Sequence, residues 1–303
     1  MILSMDIGGT AVKLGLVDEE GRIHGKREAS VHFDGYKTPI LTTAIREARA
    51  FLRERNIPIE GIGVSATGQI DTRERTVVGT NGKIPGYEGT QIGRELEEAF
   101  GLPVTALNDA NAAALGECFA GRAKGMEDVV MLTLGTGVGG GVIIGGKIYG
   151  GMRGIAGELG HFTLYQDGEP CACGKRGCYE NYASATALVR AAQRAAGETD
   201  MDGRTVFGRA AQGDARMLGV ISRWLDDVAA GITGLVHIFN PRMVLIGGGI
   251  SAQEKLLIEP LRQRVLSQVM PRFAQGLCLE RASLSNDAGL IGAACFFMQQ
   301  TRA

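Results

Sequence analysis

The chain has 303 residues, of which 45% are hydrophobic, and its 32 basic residues nearly balance 33 acidic ones. This length exceeds one ordinary core and suits two domains. A net charge of −1 argues against a nucleic-acid or membrane surface and favours small-molecule partners. The 46 glycines occur in clusters, which indicates backbone that approaches a ligand.

The sequence begins with MILSMDIGG and shows neither a signal-peptide pattern nor a long uninterrupted apolar run. We therefore expect a reducing, cytoplasmic location, in which closely spaced cysteines more often bind metal than form disulfides. Cys118, Cys278 and Cys295 are isolated in apolar segments, and we expect them to be small buried core residues.

The first part of the chain alternates predicted strands and helices, which is typical of an α/β domain. The opening strands flank a glycine-rich bend and predict a β-hairpin. The predicted strands are residues 2–6, 11–17, 61–66 and 104–107, and the predicted helices lie within residues 38–56 and 89–100.

From residue 128 the opening pattern begins again, with a strand, a glycine-rich bend, a second strand and a Gly-Gly turn. Two similar hairpins predict duplicated domains that face one cleft. The elements predicted downstream are helices at about 180–196 and 214–239, a strand at 243–246 and a last helix capped by Asn286 or Asp287. We expect this last helix to pack on the N-terminal domain.

Four potential metal ligands lie within eighteen residues, namely His161, Cys171, Cys173 and Cys178. Three thiolates and an imidazole are the ligand set of a closed structural zinc site. Gly174 and Gly177 would let the loop fold around a metal. The alternative is a set of free cysteines in a polar loop, but unpaired surface thiols are prone to oxidation. The spacing therefore predicts a zinc site.

Three glycine clusters, at residues 8–9, 135–141 and 247–249, each follow a predicted strand. Glycine lets phosphate oxygens approach backbone amides, and a nearby Thr or Lys adds a hydroxyl or a charge. None of the clusters fits the Walker pattern. The Gly-x-Gly-x-x-Gly match at 135–140 leads into a strand rather than a helix, so we discount both a P-loop and a Rossmann site.

Two carboxylates stand at the ends of predicted strands. Asp6 could organise a hydrated Mg²⁺ on nucleotide phosphates, or it could hydrogen-bond the adjacent bend. Asn108 and Asp109 follow the strand at 104–107, at the edge where open α/β sheets place ligands. Asp109 could cap the following helix, or it could bind a sugar hydroxyl and accept its proton during phosphoryl transfer.

Six motifs together resemble the ROK family of sugar kinases and repressors, and the resemblance runs essentially end to end. The motifs are Asp6-Ile-Gly-Gly-Thr10, Asn108-Asp109-Ala-Asn-Ala-Ala, Leu134-Gly-Thr-Gly-Val-Gly-Gly-Gly141, Gly157-Glu-Leu-Gly-His161, Cys171-Ala-Cys-Gly-Lys-Arg-Gly-Cys-Tyr-Glu180 and Gly247-Gly-Gly249. The resemblance implies an α/β fold of two ribonuclease-H-like (actin-like ATPase) domains flanking a cleft, with ATP on one side and a hexose on the other. We place the smaller domain at 1–108 plus about 286–303 and the larger at 109–285, with the zinc loop at 161–178.

The resemblance also implies roles for individual residues. Asp109 matches the catalytic base, and Asn108 matches a ligand of a sugar hydroxyl. The matches to hexose-binding groups are Glu158, His161 and Glu180. The matches to phosphate and nucleotide contacts are Asp6, Gly8, Gly9, Thr10 and Lys13, then Gly135, Thr136, Gly137 and Gly139, then Gly247, Gly248 and Gly249. His161 would bind zinc through one ring nitrogen and present the other to the sugar, so that the metal fixes its tautomer.

The stretch from Ala66 to Tyr87 departs most from the family pattern. Gly68 matches a family glycine and is predicted to bind substrate, whereas Thr67 stands where the family often has proline. Asn81 could contact a sugar hydroxyl, or it could form a simple Asn-Gly turn. This stretch leaves the choice of hexose open.

We therefore predict ATP-dependent phosphorylation of glucose, or of a close relative, at the 6-hydroxyl, with Mg²⁺ and a structural Zn²⁺. The alternatives within the family are N-acetylmannosamine, N-acetylglucosamine, fructose and a β-glucoside. A repressor is disfavoured because no helix-turn-helix segment precedes Asp6 and because the net charge does not suit DNA. A non-catalytic sugar sensor is the remaining alternative, and we expect a homodimer.

Overall fold

Strands and helices alternate through the computed structural model of the chain, which describes residues 1–80, 82 and 84–302. The strands are β1 (Ile2–Ile7), β2 (Ala11–Val17), β3 (Ile23–Ser30), β4 (Gly61–Ala66), β5 (Gln69–Asp71), β6 (Thr76–Gly79), β7 (Val104–Asn108), β8 (Val129–Leu134), β9 (Val138–Ile144), β10 (Lys147–Ile148), β11 (Met243–Gly247) and β12 (Cys278–Arg281). The helices are α1 (Ile40–Arg55), α2 (Ile92–Phe100), α3 (Asp109–Ala120), α4 (Glu180–Ala183), α5 (Ala185–Ala196), α6 (Gly203–Ala211), α7 (Ala215–Phe239), α8 (Glu259–Gln268), α9 (Pro271–Ala274) and α10 (Ala288–Thr301). A π-helical turn at Glu254–Ile258 precedes α8, and a 3-10 turn at Ser285–Asp287 precedes α10.

Two five-stranded sheets have the same pattern of strand order. The first has the order β3-β2-β1-β4-β7 and the second the order β10-β9-β8-β11-β12. In each sheet an antiparallel hairpin, β1-β2 or β8-β9, is joined by two parallel strands, β4 and β7 or β11 and β12. The predicted repetition of the opening hairpin is therefore confirmed, and so is the α/β class.

The chain divides into two compact units. The first unit contains residues 1–125 and 147–157 and the segment from Asn286, and the second contains residues 126–146 and 158–285. Each unit has its own apolar core. The predicted boundary before Asp109 does not coincide with this division, because α3 packs against α10 within the first unit.

The core of the first unit is closed by the C-terminal helix. α10 packs against α3 and β4, as predicted for the last helix. The contact is close because a Cβ on Gly292 would overlap the carbonyl of Ala112, and a Cβ on Gly116 would overlap that of Ala288. β4 lies between β1 and β7 and is buried along its whole length, so its run of apolar residues shows no alternation.

The core of the second unit is built around α7, which spans 25 residues. Asp214 begins this helix by accepting hydrogen bonds from the amides of Arg216 and Met217. The predicted apolar face is confirmed, with Trp224 and Ile232 buried in the core that also contains residues of β8 and β11. In the part of the chain that the structure describes, no helix is long and apolar enough to span a membrane.

Three local predictions are wrong. The single helix predicted from residue 180 is two helices, because Ser184 is extended and its side chain accepts from the amide of Ala187 to begin α5. Asp287 precedes α10 but makes no capping bond; its carboxylate instead accepts from Lys26 Nζ at 2.8 Å. Cys118 and Cys295 are buried as expected, whereas Cys278 is partly exposed at the start of the edge strand β12.

Candidate functional site

Asp6 stands near the end of β1 and is held by one residue from each neighbouring strand. In the sheet register it pairs with Lys13 of β2 and with Ser65 of β4. Ser65 Oγ donates to Asp6 Oδ1 at 2.7 Å, and Lys13 Nζ lies 3.4 Å from Asp6 Oδ2. Ser65 was not predicted as a site residue, although a hydroxyl in the otherwise apolar strand GIGVSA was the available signal, and its side chain is fully buried.

The first glycine bend follows Asp6 and is fixed from outside the loop. Gly8 donates its amide to the carbonyl of Ala11 at 3.0 Å, which closes the turn. The hydroxyl of Tyr36 donates to the carbonyl of Gly9 at 2.6 Å, and the side chain of Ile84 lies 3.4 Å from where a Cβ on Gly9 would be. Thr10 remains exposed beside this braced backbone.

Asn108, rather than Asp109, caps α3, which corrects one of the two predicted roles of Asp109. Asn108 Oδ1 accepts from the amides of Ala110 at 2.9 Å and Asn111 at 3.2 Å. Asp109 is the first residue of the helix, where its Oδ1 accepts from the amide of Ala110 at 2.8 Å and from Asn108 Nδ2 at 3.1 Å. The Asp109 carboxylate therefore lies in the favourable field of a helix N-terminus.

Gly68 connects this helix start to the strand β5. Its carbonyl accepts from Asn108 Nδ2 at 2.9 Å. The φ angle of Gly68 is +90°, and a Cβ there would lie 2.8 Å from the carbonyl oxygen of Gly79, so only glycine fits. The other residue predicted in this stretch, Asn81, lies outside the described residues.

Tyr87 is a buried polar residue that the sequence analysis did not identify as functional. It is only 3% exposed, and its hydroxyl has no hydrogen-bond partner among the described residues. Burial raises the pKa of Tyr87, and the negative charges of Asp109 and Asp6 raise it further. Its phenol is therefore held as a neutral donor within the field of both carboxylates. The only signal in the sequence was an aromatic residue in the polar stretch GTNGKIPGYEGT.

The four predicted metal ligands converge in the second unit. Their ligand atoms all lie within 4.8 Å of one another. Cys173 Sγ is 3.5 Å from Cys178 Sγ, and Cys171 Sγ is 3.6 Å from His161 Nδ1. Tetrahedral zinc with bonds of about 2.0–2.3 Å places its ligand atoms about 3.5–3.8 Å apart. The donor set and its spacing therefore fit Zn²⁺.

Glycines shape the loop that carries these cysteines. The amide of Cys171 donates to the carbonyl of Lys175 at 2.8 Å, and that of Gly174 donates to the carbonyl of Cys171 at 3.0 Å. Gly174 has a φ of +86° and Gly177 a φ of +73°, conformations that other residues rarely adopt. A Cβ on Gly177 would also overlap the carbonyl of Tyr165. The loop can thus turn twice within a few residues.

The ring of His161 faces thiols on one side and a carboxylate on the other. Nδ1 lies beside Cys171 and 3.9 Å from Glu180 Oε1, whereas Nε2 lies 4.0 Å from Glu158 Oε2. A metal bound at Nδ1 would leave Nε2 directed towards Glu158. The role that the resemblance implies, with one nitrogen for the metal and one for a sugar, stays a prediction.

Glu180 joins the metal loop to the second glycine bend. Glu180 Oε2 accepts from the amide of Val138 at 3.3 Å, and a Cβ on Gly137 would overlap this oxygen. The carbonyl of Gly135 accepts from the amide of Ala185 at 2.9 Å, just after the helix that Glu180 begins. Thr136 is exposed at the tip of the bend, and Gly139 lies in β9.

The third glycine cluster lies against the same bend. Gly248 has a φ of +91°, and a Cβ there would overlap the carbonyl of Leu134, the last residue of β8. Gly247 ends β11, and Gly249 is exposed. The predicted site residues therefore form two groups. Asp6, the first bend, Gly68, Asn108 and Asp109 belong to the first unit, and the metal ligands, Glu158, Glu180 and the other bends belong to the second.

The repeated sheet, the glycine bends after its strands and a Cys3His group that could hold a metal ion together indicate a protein of the sugar-kinase type. The chain belongs to the ROK family, which it matches over residues 2–300. The resemblance predicted from the motifs is confirmed.

Three proteins illustrate the relationship. The chain is 35% identical over 312 residues to a glucokinase of Thermotoga maritima, with 99% of this chain and 98% of that protein covered. It is 35% identical over 299 residues to an N-acetylmannosamine kinase of Citrobacter koseri, with 96% and 97% covered. The crystal structure of a ROK family glucokinase from Streptomyces griseus in complex with glucose and AMPPNP superposes with a TM-score of 0.81 at 32% identity, covering 97% and 98%.

Proposed function

We propose that this ATP-dependent sugar kinase transfers the γ-phosphoryl group of ATP to the 6-hydroxyl of glucose. The observation that supports it most is the braced start of α3. Asn108 caps the helix and binds the carbonyl of Gly68, so that the carboxylate of Asp109 is held in one place. The similarity of this chain to the Thermotoga maritima and Streptomyces griseus glucokinases supports glucose as its acceptor.

In the proposed reaction, Asp109 accepts the proton of the 6-hydroxyl while that oxygen attacks the γ-phosphorus. The bond between the γ-phosphorus and its bridging oxygen breaks, and ADP leaves with the bonding electrons. A positioned general base of this kind contributes about 10²- to 10⁴-fold to the rate. To bind a neighbouring sugar hydroxyl, Asn108 Nδ2 would exchange one of its two present donations, to the Gly68 carbonyl or to Asp109 Oδ1, for one to the sugar.

The hexose would also be bound by Glu158, His161 and Glu180. The two carboxylates accept hydrogen bonds from sugar hydroxyls, and His161 Nε2 contributes a third polar contact. His161 and the three cysteines would hold Zn²⁺, which would fix the orientation of the imidazole towards the sugar. The half-exposed side chain of Glu158, beside Nε2, gives this group an accessible face.

ATP would be bound through the glycine bends. Asp6 would hold a hydrated Mg²⁺ on the phosphates, and its contacts with Ser65 and Lys13 support this role by fixing the carboxylate. In the bends at Gly8 to Thr10 and Gly135 to Gly139, the amides of Gly9, Thr10, Thr136 and Gly137 would meet the phosphates, because those of Gly8, Gly135 and Val138 already donate within the protein. The Gly247 to Gly249 turn would contact the adenosine. Phosphoryl transfer needs mainly positioning and charge neutralisation, which backbone amides and Mg²⁺ supply.

Tyr87 is assigned here as a hydrogen-bond donor to a substrate oxygen. Its hydroxyl is buried and unpaired among the described residues, and a buried donor without an acceptor is unfavourable. Burial, and after it the charges of Asp109 and Asp6, raises the pKa of Tyr87, so the phenol stays a donor. A substrate oxygen near these carboxylates would complete its hydrogen bond.

The second candidate acceptor is N-acetylmannosamine, because the Citrobacter koseri kinase is as similar in sequence as the Thermotoga maritima glucokinase. The deciding experiment measures ADP release from ATP and Mg²⁺ with purified, zinc-replete protein and a sugar panel. The panel contains glucose, N-acetylmannosamine, N-acetylglucosamine, fructose and a β-glucoside. We expect the highest kcat/KM with glucose. Turnover of N-acetylmannosamine alone would replace glucose as the substrate, and no turnover of any sugar would reject the reaction.

Homodimer formation stays a prediction, which light scattering of the purified protein tests directly. A monomer mass would exclude it.

A further inference from the structure

The first unit contains a cavity of about 490 Å³ that none of the proposed catalytic or sugar-binding residues lines. Its polar lining includes Thr72, Arg73, Arg75, Asn111 and Gln300. A volume of this size lies within the range of small-molecule sites, about 300–1,000 Å³. The cavity is thus large enough for a metabolite and distinct in its residues from the kinase site.

The charged groups of the lining are arginines. Arg73 is exposed, and the described residues that line the cavity include no carboxylate. Arg75 is fixed by an ion pair with Glu97 and by a hydrogen bond of 3.3 Å to the carbonyl of Val104. Its Nε is buried and finds no acceptor within the described chain. An anionic group is favoured by the guanidinium of Arg73 and by the Nε–H of Arg75, whose charge is shared with Glu97.

Asn111, in the lining of the cavity, has a hydrogen-bond acceptor without a donor among the described residues. Its side chain is nearly inaccessible, since the residue is only 2% exposed. Nδ2 donates to the carbonyl of Ala156 at 3.1 Å, which fixes the orientation of the amide. Oδ1 is buried and has no partner among residues 1–80, 82 and 84–302. Buried polar atoms are nearly always paired, so this oxygen calls for a ligand with a hydroxyl or amine.

The rest of the cavity lining consists of apolar side chains and glycine backbone, and it is formed without a ligand. Leu107 and Phe296 are buried side chains of the lining. Gly151 and Gly154 have φ angles of +64° and +80°, and they turn a backbone segment along the cavity. The amide of Thr72 donates to the carbonyl of Arg153 at 3.2 Å, which ties this segment to the residue that follows β5. Ligand binding would therefore need little reorganisation.

We propose that this cavity binds a small anion that carries hydroxyl groups, such as a phosphorylated or carboxylated polyol. Arg73 and Arg75 would bind the anionic group, and Asn111 Oδ1 would accept from a hydroxyl. Gln300 and Thr72 add further polar contacts at the lining. The proposal does not rest on the kinase reaction, because it concerns different residues.

The test is isothermal titration of the full chain with 6-phosphogluconate, with inorganic phosphate and with neutral sorbitol. We expect 6-phosphogluconate to bind about tenfold or more tightly than phosphate, since only the former carries alcohol hydroxyls for Asn111 in addition to its anionic groups, and sorbitol not to bind measurably. Arg73→Ala should weaken 6-phosphogluconate binding about tenfold or more, through loss of a charge-assisted contact. Gln300→Glu should weaken it similarly, because it puts a carboxylate at the cavity.

Matched variants separate this site from other surfaces. Gln299→Glu makes the same change one position earlier on α10, at a residue that does not line the cavity, and should leave the affinity unchanged. Glu158→Gln should also leave it unchanged, whereas a large loss there would move the binding to the sugar site and overturn the proposal. Wild-type affinity in both Arg73→Ala and Gln300→Glu would overturn it too. Equal affinity for phosphate and 6-phosphogluconate would reject the role of Asn111, and circular dichroism confirms that each variant is folded.

Discussion

The two glycine bends at the hairpin tips occupy equivalent positions in their sheets but are held by different means. The bend after β1 is braced by side chains of its own unit, with Ser65 and Lys13 on Asp6 and with Tyr36 on Gly9. The bend after β8 contacts Glu180, which lies beside the Cys3His group. The two hairpins therefore have the same backbone arrangement, but different side chains hold their bends. Polar side chains hold the first bend, whereas the second bend contacts Glu180 beside the predicted metal ligands.

The largest expected effect is on kcat, and it distinguishes proton transfer by Asp109 of the first unit from sugar binding by residues of the second. Asp109→Asn should lower kcat by about 10²- to 10⁴-fold, because the amide cannot accept the proton of the 6-hydroxyl. Glucose affinity should change little, since the Asn108 cap is kept. Steady-state ADP release and glucose titration measure the two quantities, with the exposed Asp200→Asn as control. Wild-type turnover in Asp109→Asn would exclude the base assignment.

The second effect tests the metal support of the second bend. Cys178→Ser should reduce the zinc content from about one ion per chain to near zero, because a closed site needs all four ligands. The KM for glucose should rise about tenfold or more as His161 loses its fixed orientation. Elemental analysis and kinetics are the measurements, and Cys278→Ser, outside the ligand cluster, is the control. Full sugar affinity in zinc-free protein would show that the metal does not orient His161.

A smaller effect is expected at Tyr87. Tyr87→Phe should reduce kcat/KM for the sugar about 2- to 10-fold, the loss that one neutral hydrogen bond produces. The melting temperature should stay the same or rise, because the change removes a buried hydroxyl with no partner among the described residues. Kinetics and calorimetry on one preparation separate the two effects. Reduced stability with unchanged kinetics would make Tyr87 a core residue only.

The smallest effect is expected at the brace of the first bend. Ser65→Ala removes one hydrogen bond to Asp6, while Lys13 still lies beside the other carboxylate oxygen. The KM for ATP with Mg²⁺ should rise about 2- to 5-fold and the sugar KM should not change. Ser30→Ala, in the edge strand β3, is the matched control. An equal rise in both KM values would mean that Ser65 supports the whole unit rather than the nucleotide side.

The features predicted from the sequence depend on local patterns. The strand β4 was predicted with its observed bounds because a short apolar run between turn residues has few alternatives. The metal group was predicted because its ligands lie close together in the chain. Asp109 was considered as the cap of α3 and Asn108 was not, because both residue types cap helices well and the two stand side by side. The extended conformation at Ser184 likewise leaves little trace in the surrounding helical pattern.

The features that were missed depend on distant parts of the chain. Ser65 acts on a residue 59 positions away in the sequence, which only the strand order brings near. Tyr87 gains its environment from the charges of Asp6 and Asp109. The cavity lining combines segments around residues 72, 111, 150 and 300. No single window of sequence contains these combinations.

The glycine contacts between α3 and α10 also set an order for folding during synthesis. The core of the first unit is completed by Ala288–Thr301, although most of that unit lies before residue 126. Domains generally fold from the N-terminus during synthesis. In this chain, however, nearly the whole second unit is synthesised before α10 can complete the core of the first unit. Until α10 emerges, the backbone of Ala112 and the face of β4 stay exposed. The strands and helices at the start of the chain should therefore need protection from aggregation for longer than segments synthesised later.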